Sequence, residues 1–300
     1  MQSDTPTQLL DCAAPAKLNL FLHVIGRRAD GYHLLQSVFQ LIDLCDRLDF
    51  VVRDDGVIER LSALAGVAAE DDLCVRAAKA LQSHAGCRLG ASIRTRKAIP
   101  MGGGLGGGSS DAATTLMALN HLWRLGRSAK ELARLGEKLG ADVPFFLSGG
   151  NAFVEGIGEH ITPIATPRHF YAVIHPGVAV PTALIFLASE LTRNTLPLKM
   201  SDFCASANGA AIERLGVDFG HNDLEAVAKA RFPEVARALS WLGQFGHARM
   251  TGSGACVFAA FDSRDEASAS IESLPGTWKG WVCESYSRHP LADWLPAGHA

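Results

Sequence analysis

The sequence has no Cys-x-x-C pair, no block of like charges, no unbroken apolar stretch of membrane length and, inside its long glycine-rich loop, no lysine. Each absence removes a class of protein. The seven cysteines, Cys12, Cys45, Cys74, Cys87, Cys204, Cys256 and Cys283, are scattered singly and odd in number. They read as free thiols of a reducing cytoplasm, not as a disulfide framework or a metal site. Lys+Arg of 28 against Asp+Glu of 31 leaves a net charge of −3, so no global basic field gathers nucleic acid or anionic lipid, and any phosphate must be bound locally. No basic residue precedes Lys17, and the first residues lack an apolar run, so no signal peptide is expected. Phe170 to Ser189 carries no charged side chain, but His175-Pro176-Gly177 and Pro181-Thr182 break it into strand, turn and helix start. With 300 residues and 48% hydrophobic content, the chain reads as a cytoplasmic globular protein with no membrane partner, long enough for two domains. Monomer and homodimer both fit.

What is present is more specific. Pro100-Met-Gly-Gly-Gly-Leu-Gly-Gly-Gly-Ser-Ser110 holds six glycines and two hydroxyls between an alternating segment and an alanine-rich, helix-like one. Without a Cβ, successive backbone N–H groups can converge on phosphate oxygens, and Ser109 and Ser110 add donors where a helix N-terminus already favours an anion. A Walker A loop would end in Gly-Lys-Ser/Thr, whereas Gly108 runs directly into Ser109. Gly102, Gly104 and Gly107 satisfy G-x-G-x-x-G, yet so glycine-rich a run matches almost any glycine pattern. The dinucleotide fingerprint also wants an acidic residue after a following strand, and Asp111 comes at once before a helical stretch, Ala112 to Leu122. Asp218-Phe219-Gly220 lacks the His-Arg-Asp loop that would make it a protein-kinase signature. A flexible linker is the plain alternative, disfavoured by the apolar Leu105 at the loop's centre and the helix start at its end.

Along the chain, Leu18 to Ile25, Val38 to Leu44 and Leu48 to Arg53 read as strands, with Gly26 to Gly31 a polar hairpin loop. Asp71 to Ser83 reads as a helix and Ala91 to Lys97 as a strand entering the glycine loop. Ser128-Ala-Lys-Glu131 is a capping box opening a helix that Gly140 ends, followed by Ala141-Asp142-Val143-Pro144. The pattern restarts near Thr166 with a strand at Phe170 to His175. Helices follow from Thr182, over Asn222 to Ala230 and over Pro233 to Leu242, then the apolar strand Ala255 to Phe261. This places a domain boundary at Pro163 to Pro167, dividing the chain into 1–165 and 166–300, and leaves Leu291 to Ala300 as a loosely held tail.

Four segments together, Pro15-Ala-Lys-Leu-Asn-Leu20, Pro100 to Ser110, Gly140-Ala-Asp-Val-Pro144 and Thr251-Gly-Ser-Gly-Ala255, resemble the conserved blocks of the GHMP small-molecule kinases, in the right order over most of the chain. Within that superfamily, Ala29-Asp30-Gly31-Tyr32-His33, His175-Pro176-Gly177 and Pro181-Thr182 resemble the branch whose substrate is 4-diphosphocytidyl-2-C-methyl-D-erythritol, in the non-mevalonate isoprenoid pathway. The resemblance implies an α+β, two-domain GHMP kinase fold, with an N-terminal ribosomal-protein-S5-like ATP-binding domain and a C-terminal ferredoxin-like domain. It also implies ATP as co-substrate, bound by Pro100, Met101, Gly102, Gly103, Gly104, Leu105, Gly106, Gly107, Gly108, Ser109 and Ser110, with Mg2+ accompanying it.

By the same resemblance, Asp142 matches the general base that takes the proton of the attacking hydroxyl, and Lys17 its paired cation, stabilising the alkoxide. Alone, Asp142 would read as a turn aspartate before Pro144, and Lys17 as a solvated strand-start lysine. Asn19 is placed to orient polar groups nearby. Tyr32 and Phe186 match residues that sandwich the pyrimidine, His33 matches the reader of the cytosine edge, and Thr182 supports the pocket. Composition alone would make Phe186 a core residue and Tyr32-His33 a surface pair. No acidic cluster announces a protein metal site, although Ser109 or Ser110 is within reach of an ion on the nucleotide. A kinase of the same superfamily acting on mevalonate or homoserine is the nearest rival, disfavoured because a small acid has no base to stack on Tyr32. A silent nucleotide-binding regulator is disfavoured by the presence of both Lys17 and Asp142.

Overall fold

The computed structural model describes residues 7–64, 66–199 and 219–295. Its first feature is a long antiparallel hairpin, β1 (Gln8–Arg27) with β2 (His33–Arg53), in register from Gln8↔Val51 to Arg27↔His33. The sequence suggested shorter strands, Leu18 to Ile25, Val38 to Leu44 and Leu48 to Arg53, whereas the structure runs β1 through Pro15 and β2 through Asp46, two residues that can interrupt a strand. Both interruptions are absorbed. β1 has β2 as its partner in this sheet, and Pro15 sits at one of its register shifts, a position where the missing N–H costs no ladder bond. The fully buried Asp46 is satisfied by the backbone N–H groups of Ala98 (2.6 Å) and Ile99 (2.9 Å) and by the Lys97 ammonium, so β2 runs straight through it.

β2 is wide enough to serve two partners on its other edge. Its C-terminal half pairs with β4 (Gly90–Arg96), which carries the short parallel β3 (Ile58–Arg60). Its N-terminal half pairs with β5 (Ala152–Gly156), which carries β6 (His160–Pro163). Helices α1 (Leu73–Ala85), α2 (Gly107–Leu122), α3 (Ala129–Glu137) and α4 (Val143–Leu147) complete this half. Asp72 caps α1 through the Cys74 N–H, and the expected capping box of Ser128 and Glu131 opens α3. α2 begins earlier than the sequence suggested, inside the glycine loop, and is buried nearly all round. It joins α1 and the sheet in one core with Leu81, Ile93, Leu116 and Phe145.

The second sheet has the antiparallel order β10-β7-β9-β8, from β7 (Phe170–His175), β8 (Arg249–Met250), β9 (Val257–Phe261) and β10 (Lys279–Glu284). Helices α5 (Thr182–Phe186), α6 (Asp223–Arg231), α7 (Pro233–Leu242) and α8 (Arg264–Ala269) accompany it. Alternation along β7 divides its two faces. Ala172 and Ile174 join a core with Leu224, Val235 and Leu239 of the helices, while Tyr171 and Val173 pack with Leu18 and Phe21 of β1 and Ile42 of β2. The two sheets are therefore joined by an apolar layer, and the loops at its margin meet.

The expectation of a loose tail is corrected over its first part. Leu291, Trp294 and Leu295 pack against the first core, with the Trp294 ring stacked on His121 (centroids 4.9 Å apart, 14° between planes). Three large apolar side chains in five residues supply enough burial to hold a short 3-10 turn, Ala292–Trp294, against the body. Among the described residues no helix is long and apolar enough to cross a membrane.

Candidate active site

The glycine loop is anchored at its centre. Leu105 is buried in the inter-sheet layer, its carbonyl accepting from the Lys17 N–H (3.0 Å), and burial of such a side chain is worth about 1.5–3 kcal/mol. On either side of it Gly104 (φ +75°) and Gly106 (φ +72°) adopt left-handed backbone, which side-chain-bearing residues rarely take. A Cβ at Gly104 would lie 2.2 Å from the Thr251 carbonyl oxygen. That closeness exists because the second glycine loop braces the first: the N–H groups of Ala255 and Cys256 donate to Gly102 and Gly103, and the Thr251 hydroxyl donates to Gly104. α2 then starts at Gly107, its first N–H groups facing the loop.

A cavity of about 440 Å³ lies on one side of this loop, lined by Pro100 through Ser109 with Asp71, Leu73, Lys97 and Asp111. A second, of about 680 Å³, lies on the other, lined by Lys17, Asn19, Tyr32, His33, Asp142, Thr182, Phe186 and Ser253 among others. Gly104 and Gly106 line both. The larger cavity thus borders the smaller at glycine backbone, where neither Gly104 nor Gly106 carries a side chain.

Beside that junction the Lys17 ammonium sits 3.5 Å from Asp142 Oδ2, donates to Asn19 Oδ1 (2.6 Å), and lies 4.4 Å above the Phe39 ring. Lys17 alternates with Ala16 and Leu18, which face the inter-sheet layer, so β1 turns its side chain the other way, toward Phe39 and the cavity. Buried there, it is satisfied by charge, hydrogen bond and ring together. Asn19 is fixed in turn: its side chain donates to Ser37 Oγ, and its backbone N–H donates to Thr251 Oγ1. Asp142 ends the turn before α4, yet its carboxylate makes no capping bond, so it is free to face the cavity. At the far end, the His33 ring packs against Phe186 (centroids 5.0 Å, 37° between planes). Burial, then the nearby Arg193 and Arg27, depress the His33 imidazolium below its usual range.

Comparison with known proteins agrees with this architecture. The family model for the GHMP kinases N terminal domain matches residues 72–150, and that for the GHMP kinases C terminal matches residues 200–280. The curated 4-diphosphocytidyl-2-C-methyl-D-erythritol kinase of Aromatoleum aromaticum is 56% identical over 289 residues, covering 96% of this chain and 98% of its own. That of Cupriavidus necator is 58% identical, covering 96% of each. The chain belongs to the 4-diphosphocytidyl-2-C-methyl-D-erythritol kinase family, within the GHMP kinases. A crystal structure of 4-(cytidine 5'-diphospho)-2C-methyl-D-erythritol kinase superposes with a TM-score of 0.77 at 34% identity over 93% of this chain and 98% of that one. A homoserine kinase from Cytophaga hutchinsonii shares the fold, with a TM-score of 0.66 at 19% identity. The chain is a small-molecule kinase with the two-domain α+β GHMP fold.

Of the residues singled out in sequence, all those assigned to catalysis or substrate line the larger cavity, and Pro100 to Ser109 line the smaller. Ser110 does not. Its side chain is fully buried, and its hydroxyl has no hydrogen-bond partner among the described residues. Tyr32 stands largely exposed at the cavity edge, and the ring against Phe186 is that of His33. Sequence reasoning did not single out several residues of this kinase. Phe39 and Ser37 hold Lys17 and Asn19 from the neighbouring strand, and the Ser253 hydroxyl hydrogen-bonds that of Thr182 (2.8 Å). Lys97 bridges Asp46 and Asp111 at the smaller cavity. Burial pushes the Asp111 carboxyl up and the Asp46 charge adds to this, against the pull of Lys97. Strand register and loop docking bring these groups in, and neither leaves a local motif.

Proposed function

We propose that this kinase transfers the γ-phosphoryl group of ATP to a hydroxyl of the methylerythritol unit of 4-diphosphocytidyl-2-C-methyl-D-erythritol. The observation that carries the reading is the pair of cavities meeting across Gly104 and Gly106 beside the Lys17–Asp142 ion pair. The smaller cavity suits a nucleotide triphosphate, with backbone donors of Gly103 to Gly108 and the Ser109 hydroxyl. The larger suits an elongated ester, with the reacting alcohol at Asp142 and the base near Phe186 and His33. Relatives more than half identical over nearly the full length carry that substrate in their names.

Asp142 accepts the proton of the attacking hydroxyl as its oxygen bonds to phosphorus, a contribution worth about 10²–10⁴-fold. Lys17 meets the developing alkoxide from a buried position, where its charge is little screened. Magnesium supplies charge neutralisation of the triphosphate when bound. The residues fit an ion carried in by the nucleotide: Ser109 offers a hydroxyl at the cavity, Asp111 is already held by Lys97, and no group of three acidic, His or Cys side chains among the described residues forms a metal cage. The two sheets support a division of the chain into 1–165 and 166–300, with Asp142 from the first part and Phe186 from the second. A coupled ADP-release assay over a panel of alcohols tests the assignment. Turnover is expected with the cytidine diphosphate ester, and comparable turnover with mevalonate or homoserine would remove it.

A further inference from the structure

One side chain outside the cavity holds a residue of its wall by a hydrogen bond. Arg193 does not line the cavity but lies directly behind it, its Nε–H donating to His33 Nε2 at 3.1 Å. Its other N–H groups donate to the carbonyls of Leu191 (3.0 Å), Phe186 (3.2 Å) and Ala188 (2.5 Å). Two of those carbonyls lie at and just beyond the end of α5, where oxygens have no intrahelical partner and a cation is favoured. The guanidinium is therefore held in one place by carbonyls at the same time as it addresses the imidazole.

We propose that Arg193 is a positioning residue that fixes the tautomer of His33, so that the ring presents a hydrogen-bond donor to the acceptor edge of a cytosine base. The inference rests on the cytidine reading given above. A guanidinium only donates and cannot be deprotonated in a protein, so the nitrogen it addresses must carry a lone pair. A neutral imidazole with a lone pair on Nε2 has its proton on Nδ1. Burial and the Arg193 and Arg27 charges work against a second proton. Nδ1 makes no hydrogen bond to any described residue, while the ring itself lines the cavity and packs on Phe186. The ring nitrogen left for a ligand is thus a donor. Cytosine offers acceptors at N3 and O2, whereas uracil carries a proton on N3, so a donor aimed at N3 accepts the first base and meets a second donor in the other. The opposite tautomer would require Arg193 to face an N–H.

Full-length protein labelled with ¹⁵N-histidine reads the tautomer directly, the His33 signals being those lost in His33→Gln. At pH 7 the wild type is expected to show Nδ1 protonated and Nε2 bare. Calorimetric titration should give tighter binding of CDP than UDP. Arg193→Met removes the donors while keeping much of the stem, and is expected to narrow the CDP:UDP preference by about tenfold, a typical penalty for one mispaired buried group. ATP affinity should stay unchanged, and Arg193→Lys should restore part of the preference. Protonation of His33 on Nε2 in the wild type overturns the inference without any substitution. So does a folded Arg193→Met protein whose CDP and UDP affinities fall together with their ratio kept, which is the result a purely structural role gives. Equal binding of CDP and UDP by the wild type overturns the cytidine reading itself, and is recognised before any variant is made.

Discussion

The Lys17 ammonium lies 3.5 Å from the Asp142 carboxylate, but the two partners are unequally buried: the lysine side chain is 4% exposed and the aspartate 32%. Lys17 is locked by Asn19 and by the face of Phe39, while the outer side of Asp142 is open to the cavity. One partner is a fixed charge and the other can reach a substrate hydroxyl. That asymmetry suits the proposed roles of base and assisting cation.

Asp142→Asn is expected to lower kcat by about 10²-fold or more, equivalent to about 2.7 kcal/mol, because the amide still accepts from Lys17 but takes no proton from the alcohol. The ATP dissociation constant should be unchanged. Lys17→Met should act on the same step, and the double variant should be little worse than the worse single one. Steady-state kinetics of the three variants check this, and near-normal turnover of Asp142→Asn removes that residue from the role of base.

Gly104→Ala should disrupt loop docking. Its Cβ would sit 2.2 Å from the Thr251 carbonyl and 3.1 Å from that of Gly254, in backbone at φ +75°. Both obstacles are backbone, so strain of about 1–3 kcal/mol and weaker ATP binding are expected together. Gly108→Ala, whose nearest neighbour would be the Leu73 methyl at 3.3 Å, is the mild control. Urea midpoints and ATP titrations of the two separate strain from a general effect of adding a methyl group.

Phe186→Ala removes one aromatic face from the base end of the larger cavity. A loss of about 1–3 kcal/mol, roughly 5- to 150-fold in CDP affinity, is expected. ATP binding should be nearly untouched, since Phe186 does not line the smaller cavity. Equal losses for both nucleotides would mark general unfolding instead.

His289 gives the fold a pH dependence. It is buried, its Nδ1 accepts from the Leu291 N–H, its Nε2 has no partner among the described residues, and burial lowers its pKa from 6.5 to about 3. The unfolded chain therefore binds a proton that the native state refuses between about pH 6.5 and 3. Stability from this group is complete above 6.5 and declines as pH falls through that window, by up to about 1.4 kcal/mol per pH unit. His289→Asn keeps an acceptor near Nδ1 and removes the titration. Urea midpoints at pH 7, 6 and 5 should fall more steeply for the wild type than for this variant, and parallel slopes would exclude His289 as the source.

Much of this protein was legible in one dimension because its chemistry is carried by backbone and by short blocks. A loop that runs between two cavities with left-handed backbone at Gly104 and Gly106 is written largely in glycine, so Pro100 to Ser109 declared itself. The capping box at Ser128, the strand at Phe170 to His175 and the Asp142 block were equally local. The resemblance of these blocks, in their order, then carried Lys17, Tyr32, His33 and Phe186 to one cavity.

What the sequence could not decide depends on register and on distance. Whether Pro15 and Asp46 ended strands or were absorbed by a bulge and by buried donors was settled by which edge of β1 was free and by where Lys97 arrived. Ser110 belongs to the loop in sequence, but helical rotation turns it inward one residue after Ser109. Phe39 touches Lys17, and Arg193 touches His33, across 22 and 160 positions of chain. Such contacts follow from strand pairing and from loops closing on one another, which no local pattern of residues encodes. The sequence determined which groups were available to bind phosphate and move a proton, since those properties reside in single residues and short turns. Only the tertiary structure decided which of them meet, because burial, charge pairing and tautomer are properties of neighbours.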